Sequence, residues 1–345
     1  MKSLRDNAED DMEINKQKDR SPWWALGGVA FGFLLPLIGM ACMVVLCMAS
    51  FFAMSGMSAS AAEPESVVHL SGPLSGPAVA VIDINGTIVS GSSGSLGVSA
   101  YASSDDVIPL IRSAASNSDV KALLLRIDSP GGSVVASDLI YHALTGCGKP
   151  IVVLMGEMAA SGGYYISMAA DHIVANPNTL TGSIGVISEF PEASALMEKL
   201  GVTVSVITSG EVKDMGSLYR PMTDEEKRAW KQKIDEVYES FVQIVADGRG
   251  MSAGEVRELA DGSVYTGREA LALGLIDSLG YEEDAVAEAA DLGRIPGKPR
   301  VILYTPPSLS LFSALFSGRI PQNLLTEDIL GDLLAPKLEF RWTGQ

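Results

Sequence analysis

Histidine and cysteine are scarce in this 345-residue chain, with three of each. His69, His142 and His172 lie far apart, which argues against an all-histidine metal site. Cys42 and Cys47 fall in the most apolar stretch and leave Cys147 alone downstream. That excludes an intramolecular disulfide framework and a cysteine-rich zinc site. No metal or other cofactor is expected. Basic residues are also few, 25 Lys and Arg against 42 Asp and Glu, for a net charge of −17. A phosphate backbone demands a basic surface, so nucleic acid is not an expected partner. The 47% apolar content rules out wholesale disorder and supplies a core for one large domain or two small ones.

Charge is missing locally as well. Between Ser21 and Ala62 there is no Asp, Glu, Lys, Arg or His. The heart of this run, Trp23 to Met54, exceeds the roughly 20 apolar residues that cross a bilayer. It also exceeds the roughly 7–15 residues of a cleavable signal's apolar region, so the expectation is a retained transmembrane signal anchor. Its glycines and Pro36 are compatible with a membrane helix. Lys16, Lys18 and Arg20 precede the span, whereas Glu63 and Glu65 follow it. The positive-inside bias then keeps the N-terminus in the cytoplasm and exports the rest. A buried core helix is the plainer alternative. The small residues Ser58 to Ala62 leave open later release by cleavage.

Five segments follow. Residues 1–20 form a cytoplasmic tail, 21–57 the anchor, 58–77 a linker, 78–295 the folded body and 296–345 a C-terminal extension. The body alternates short apolar runs with helical patterns, which predicts an α/β fold with parallel pairing. Predicted strands are Ala78–Ile84, Ala122–Ile127, Ile151–Met155, His172–Ala175 and Thr203–Thr208. Predicted helices are Asp105–Ser116, Val134–Leu144, Ser161–Ala170, Glu192–Leu200, Thr223–Asp247, Ala253–Leu259, Gly267–Leu273 and Glu282–Leu292. Thr223 and Glu226 have the spacing of a capping box. Residues 90–104 are rich in Gly and Ser and read as a flexible loop. The apolar stretch Leu309 to Phe316 is too short to span a bilayer and reads as a segment packed on a neighbour, on the membrane surface or on the body.

Two turns carry candidate chemistry. Asp128-Ser129-Pro130-Gly131-Gly132 lies between a predicted strand and a predicted helix. Glycines there let backbone N–H groups face an anion or oxyanion, although an ordinary turn has the same composition. Ser161, in Ala160-Ser161-Gly162-Gly163, sits where a strand gives way to a helix, as an exposed nucleophile or a plain N-cap. In the first case the next N–H can help hold an oxyanion.

A nucleophilic serine needs a base. None of the three histidines has a convincing acidic partner by position. Lys213 is the other candidate, after the predicted strand Thr203–Thr208. Making an ordinary lysine half-neutral at pH 7 takes roughly 4.6 kcal/mol, within the reach of burial. An exposed lysine beside Asp214 is the plain alternative.

The motifs Asp128 to Gly132, Ala160 to Tyr165, Thr181-Gly182-Ser183-Ile184-Gly185-Val186 and Lys213-Asp214-Met215-Gly216 occur in an order and spacing that resemble the protease IV family. These are bacterial Ser-Lys membrane peptidases, here in the short form of the signal peptide peptidases. The resemblance runs from the anchor to about Leu292. It implies a ClpP/crotonase-type α/β core, with Ser161 as nucleophile and Lys213 as general base. It implies that Ser183 orients the lysine amine and that the N–H groups of Gly132 and Gly162 hold the oxyanion, with Gly131 in the same turn. Double-length relatives resemble two such units fused, with lysine and serine in different halves. A single-length chain would then build its sites between the protomers of a homo-oligomeric ring.

The expected function is endopeptidase cleavage of released signal peptides at the bacterial inner membrane, with the catalytic domain outside the cytoplasm. One rival is a related peptidase that cuts the apolar tail of a specific membrane protein. Another is a crotonase-fold acyl-CoA enzyme, which the anchor disfavours. A third is a non-catalytic membrane scaffold.

Overall fold

A computed structural model describes residues 66–91, 101–306 and 339–342 of the chain. The expected anchor, 21–57, and the stretch Leu309 to Phe316 lie outside them. Among the described residues no helix is long and apolar enough to cross a membrane.

The chain enters with strand β1 (Ser66–Ser71), then β2 (Ala78–Asn85), β3 (Thr87–Val89) and β4 (Tyr101–Ser103). Helix α1 (Ser104–Ser116) leads to β5 (Val120–Ser129), β6 (Gly131–Ser133), α2 (Val134–Thr145) and β7 (Ile151–Ala160). Next come α3 (Gly162–Ser167), β8 (His172–Ala175), β9 (Leu180–Gly182), α4 (Ser194–Leu200) and the long α5 (Asp224–Arg249). The body closes with α6 (Ala253–Leu259), β10 (Val264–Thr266), α7 (Gly267–Ala272), β11 (Ser278–Leu279), α8 (Glu282–Leu292) and β12 (Arg300–Thr305). A last strand, β13, covers Glu339–Arg341.

The main sheet has the order β1-β12-β2-β5-β7-β8-β11. All neighbours from β12 to β11 are parallel, and β1 joins antiparallel at the edge. Two-residue alternation along β2 sends Ala78, Ala80, Ile82 and Ile84 to one face, and Val79 and Val81 to the other. The first face packs with residues of α1, α2, α3 and α5, including Leu110, Ile140, Tyr164 and Phe241. The second packs on Ala285, Ala289 and Ala290 of α8. A continuous apolar strand such as β5 follows from burial on both faces.

The far end of β7 extends past this sheet. There β9 pairs beside it in parallel, and β10 pairs antiparallel with β9. A smaller sheet, β13-β6-β3-β4, stands at the same end. The expected mixed α/β fold with parallel pairing is therefore observed.

Helix ends follow their caps. The Thr223 hydroxyl accepts from Glu226 N at 3.2 Å, and the Glu226 carboxylate accepts from Thr223 N at 2.8 Å. The capping box thus starts α5 where the spacing required. Tyr101–Ser103, inside the segment read as a loop, forms a strand with β3. Strands β1 and β12 bring parts of the expected linker and C-terminal extension into the main sheet. One expectation fails: residues 203–208 form no strand and are exposed throughout. Val204 and Val206, which continue the alternation of Val202, have the right pattern, but a strand exists only when an edge offers hydrogen bonds. No described segment of this chain pairs with them.

Candidate active site

Ser161 stands between β7 and α3 in a conformation unusual for a side chain, with φ 53° and ψ −112°. A non-glycine residue held there costs roughly 1–3 kcal/mol, so the surroundings must enforce it. Ser161 N–H donates to the Gly182 carbonyl at 2.8 Å, and Tyr165 N–H donates to the Ser161 carbonyl at 2.8 Å. The side chain makes no capping hydrogen bond to its helix. It is a helix-terminal serine not used as a cap.

Ser183 has the same peculiarity, with φ 48°. Its N–H donates to the Ser263 carbonyl at 2.7 Å, which ties it to the turn before β10. Both serines are buried within the protein and line one cavity of about 490 Å³. Val186, Lys231, Tyr238 and Arg341 also face it.

The turn after β5 forms the adjoining wall. Gly131 N–H donates to Ser129 Oγ at 3.1 Å, and Ser129 Oγ donates to the Gly86 carbonyl at 2.6 Å. Gly131 has φ 97°, a left-handed value that suits glycine. A Cβ there would lie 2.0 Å from the Phe340 carbonyl oxygen and 2.6 Å from Gly162 N. The two glycine turns singled out from sequence therefore meet, at the foot of the Ser161 helix.

The cleft holds part of the chain itself. Strand β13 runs antiparallel to β6, with Phe340 opposite Gly132 and Arg341 opposite Gly131. Trp342 N–H donates to the Pro130 carbonyl at 3.0 Å. On the other edge, Glu339 and Ile187 exchange two backbone hydrogen bonds of 3.0 Å each. The Phe340 ring is 1% exposed. It stacks on Tyr165 at a centroid distance of 5.1 Å and lies 4.6 Å from Phe241. Burial, aided by Asp138, whose carboxylate accepts from Tyr165 Oη at 2.8 Å, pushes the Tyr165 hydroxyl pKa up. Tyr165 therefore stays neutral through the physiological range. Sequence reading missed this strand, although Leu338-Glu339-Phe340-Arg341-Trp342 alternates apolar and charged residues as a strand does.

Lys213 is elsewhere. It is exposed on the turn that follows residues 203–208, and it does not line the Ser161 cavity. The lysine that does line it, Lys231, is ion-paired to Asp235 one helical turn on. Beside Lys213, Asp214 accepts two bonds from Arg220, at 2.8 and 2.9 Å. Arg220 also donates to the Glu226 carboxylate at 2.6 and 2.8 Å. The Arg220 hydrogen bond is the main cause holding both carboxyls below their usual range, Glu226 at about 2. The anchor of the Lys213 turn to α5 was a second feature missed from sequence.

The histidines take no part in the cavity lining. His172 Nε2 shares a 2.9 Å hydrogen bond with Ser278 Oγ, and Nδ1 lies 3.7 Å from Glu288. His142 is exposed on α2. Among the described residues no group of three or more His, Cys, Asp or Glu could hold a metal ion.

The chain is similar to known peptidases. The profile of peptidase family S49 matches residues 143–295, and that of Clp protease matches residues 97–181. Protease 4 of Haemophilus influenzae is 37% identical over 232 residues, covering 66% of this chain and 36% of that protein. Protease 4 of Salmonella typhi is 40% identical over 225 residues, 64% of this chain and 35% of that protein. The chloroplastic serine protease SPPA of Arabidopsis thaliana is 36% identical over 251 residues, 71% of this chain and 34% of that protein. The chain thus spans about a third of the length of these relatives.

Proposed function

The chain is an SppA-type member of peptidase family S49, and we propose that it is a membrane-anchored serine endopeptidase that degrades released signal peptides. The observation that carries this reading is strand β13. An extended backbone lies in the cleft beside Ser161, hydrogen-bonded along both edges to β6 and Ile187. A site that holds a polypeptide in this way recognises main chain first and side chains second. An acyl-CoA site has no need of two strand edges.

Ser161 is the nucleophile of this reading. Its strained turn presents Oγ at the cavity, and the N–H groups of Gly132 and Gly162 stabilise the oxyanion. Lys213 takes the serine proton and passes it to the leaving amine, and water then hydrolyses the acyl-enzyme. Ser183 orients the lysine amine. The chemistry calls for no cofactor. Lys213 reaches Ser161 from a neighbouring copy in a closed ring. Two features of the single chain support this: Lys213 lies outside its own cavity, and the strand-like Val202, Val204 and Val206 before it lack a partner edge. The anchor over 21–57 keeps the cleft outside the cytoplasm and near the apolar peptides it consumes.

The test is labelling of the full chain in detergent with a fluorophosphonate, followed by peptide mapping and assay on a synthetic signal peptide. Labelling at Ser161 with signal-peptide hydrolysis supports the reading. No label at Ser161 and no hydrolysis overturns it. Hydrolysis confined to one membrane protein's tail overturns the substrate assignment alone.

A further inference from the structure

We propose that residues 309–316 dock in an apolar groove between helix α8 and strands β1 and β12, on the α8 face of the main sheet. The proposal goes beyond the peptidase reading and does not depend on it.

The groove follows from how the sheet is covered. From β1 to β11 the sheet is seven strands wide, which at a spacing of about 4.8 Å makes about 29 Å. One face packs with residues of α1, α2, α3 and α5, whereas the apolar cluster on the other draws its helical residues from α8. A helix is about 10 Å across, so α8 leaves the β1–β12 side of that face bare. The result is a groove of about 830 Å³, with Leu70, Val286, Ala287, Ala290, Ile295 and Val301 in its walls. Leu303 extends the apolar face along β12, and Val68, opposite Leu303 on β1, shares that face. Val68 and Leu70 are 46% and 40% exposed, so this face stops short of a finished core.

The edge beside it is bare too. No described strand pairs with the outer side of β1. Its sequence, Ser66-Val67-Val68-His69-Leu70-Ser71, has none of the lysines, acids or prolines that guard natural edges. A bulge between His69 and Ser71 is its one protective device.

The chain itself points to the occupant. Strand β12 runs along the groove, and Tyr304 pairs with Ile82, one residue short of the level of Asp83 and Arg126. The end of β12 thus stands at the groove's mouth, where Arg126 and Glu282 line it. Arg126 donates to Asp83 at 2.7 and 2.9 Å and to Glu282 at 3.1 Å, which neutralises that mouth. Pro306 and Pro307 follow and cannot extend the ladder. From Pro306 to Gly318 there is no charged residue. At helical spacing, Leu309, Leu311, Phe312, Leu315 and Phe316 fall on one side and Ser310, Ser313 and Ser317 on the other. Eight residues at that spacing span about 12 Å, shorter than the roughly 20 Å of β12 beside them. Beyond them, residues 317–338 reach up to about 70 Å, enough to return to β13. A segment tethered three residues from β12 has an effective concentration of millimolar order, which favours it over a second copy.

Disulfide trapping tests this in the full chain in lipid nanodiscs. Ala287→Cys is combined in turn with Phe312→Cys, Leu315→Cys, Phe316→Cys and Ser313→Cys. The single variants control for pairing with Cys42, Cys47 and Cys147. At least one of the three apolar positions should form a disulfide within one chain, about tenfold or more faster than position 313. In the paired variant Phe312→Ser/Phe316→Ser, amide exchange over 67–70 and 286–290 should rise about tenfold or more, with β5 unchanged. No disulfide from any of the three, or an equal rate at 313, overturns the proposal, as does unchanged exchange. A disulfide between two chains gives the groove to a second copy and overturns it. So does labelling of 309–316 by a photoreactive lipid without a disulfide, which gives the segment to the bilayer. Failure of Ser161 labelling and peptide hydrolysis would overturn the peptidase reading and leave the trapped disulfide standing.

Discussion

Ser161 is suspended from Gly182: its N–H donates to that carbonyl at 2.8 Å, and the next residue, Ser183, shares its left-handed backbone. One strand end, β9, therefore holds Ser161 and delivers the second cavity serine. The strain of Ser161 and the placement of Ser183 have a common support. On the proposed reading of Ser161 as nucleophile and Lys213 as base, Ser161→Ala and Lys213→Ala are each expected to lower kcat/KM by about 10^4-fold or more, because such a pair acts as a unit. Circular dichroism should show both proteins folded. Wild-type turnover in either would remove that residue from the mechanism.

Ser183→Ala is expected to do less. In the proposed role it would delete one orienting hydrogen bond to the lysine amine, worth about 1–1.5 kcal/mol, so a loss near tenfold in kcat should appear with KM little changed. The substitution keeps the left-handed backbone tied to Ser263. A loss as large as that of Ser161→Ala would make Ser183 part of the proton transfer itself.

Gly131→Ala separates the cleft from the core. A new Cβ would lie 2.0 Å from the carbonyl oxygen of the chain in the cleft, and φ 97° disfavours any L side chain. Strand β13 and any peptide that mimics it are expected to be excluded, with activity falling by about 10^2-fold or more. Hydrogen exchange should rise at Glu339–Trp342 while β5 and β7 stay protected. Unchanged protection of β13 would mean that the turn can shift to accept the methyl group.

How far the sequence carries is clear from particular segments. The inner strands β2, β5, β7 and β8 were legible because burial on two faces writes unbroken apolar runs. Helix α5 was legible because Thr223 and Glu226 cap it locally. The two glycine turns and Ser161 were legible because close backbone approach demands small residues at fixed places. Strands β1 and β12 were not, since each owes its existence to an edge contributed by residues more than 200 positions away. Phe340 was missed for the same reason: its partners Gly132 and Tyr165, like Ile187 opposite Glu339, are remote in the chain. Residues 203–208 err the other way, with a strand's pattern and no edge to meet it.

Acid should loosen the Lys213 turn before the core. Arg220 depresses the carboxyls of Asp214 and Glu226, the latter to about 2 from an ordinary 4.5. A depressed carboxyl contributes stability that is fully present above its unfolded value and is lost as pH falls through its folded value. Protection factors over residues 210–226 are therefore expected to fall between about pH 4.5 and 2. In Arg220→Ala that fall should disappear, with protection low even at pH 7. A turn equally protected from pH 7 to 2 in the wild type would deny the Arg220 clamp a role.

Lys213 leads to the last expectation. It is exposed on a turn outside the Ser161 cavity, and the cavity's own lysine is engaged with Asp235. A base must come within about 3 Å of the proton it removes. If a neighbour supplies Lys213, each site of a ring needs Ser161 from one copy and Lys213 from the next. Ser161→Ala and Lys213→Ala proteins, each inactive alone, are then expected to regain activity when their subunits are mixed and exchanged. In random assembly a site has the intact pair when a Lys213→Ala copy contributes Ser161 and a Ser161→Ala copy contributes Lys213. That happens at about one interface in four for equal amounts, since each of the two positions is filled independently. Recovered turnover should therefore approach about a quarter of wild type and vary with mixing ratio as the product of the two fractions. A sample that exchanges subunits, as shown by fluorescence transfer between labelled copies, yet regains no hydrolysis would put both residues of each site in one chain. The Lys213 turn would then have to fold over onto its own cavity.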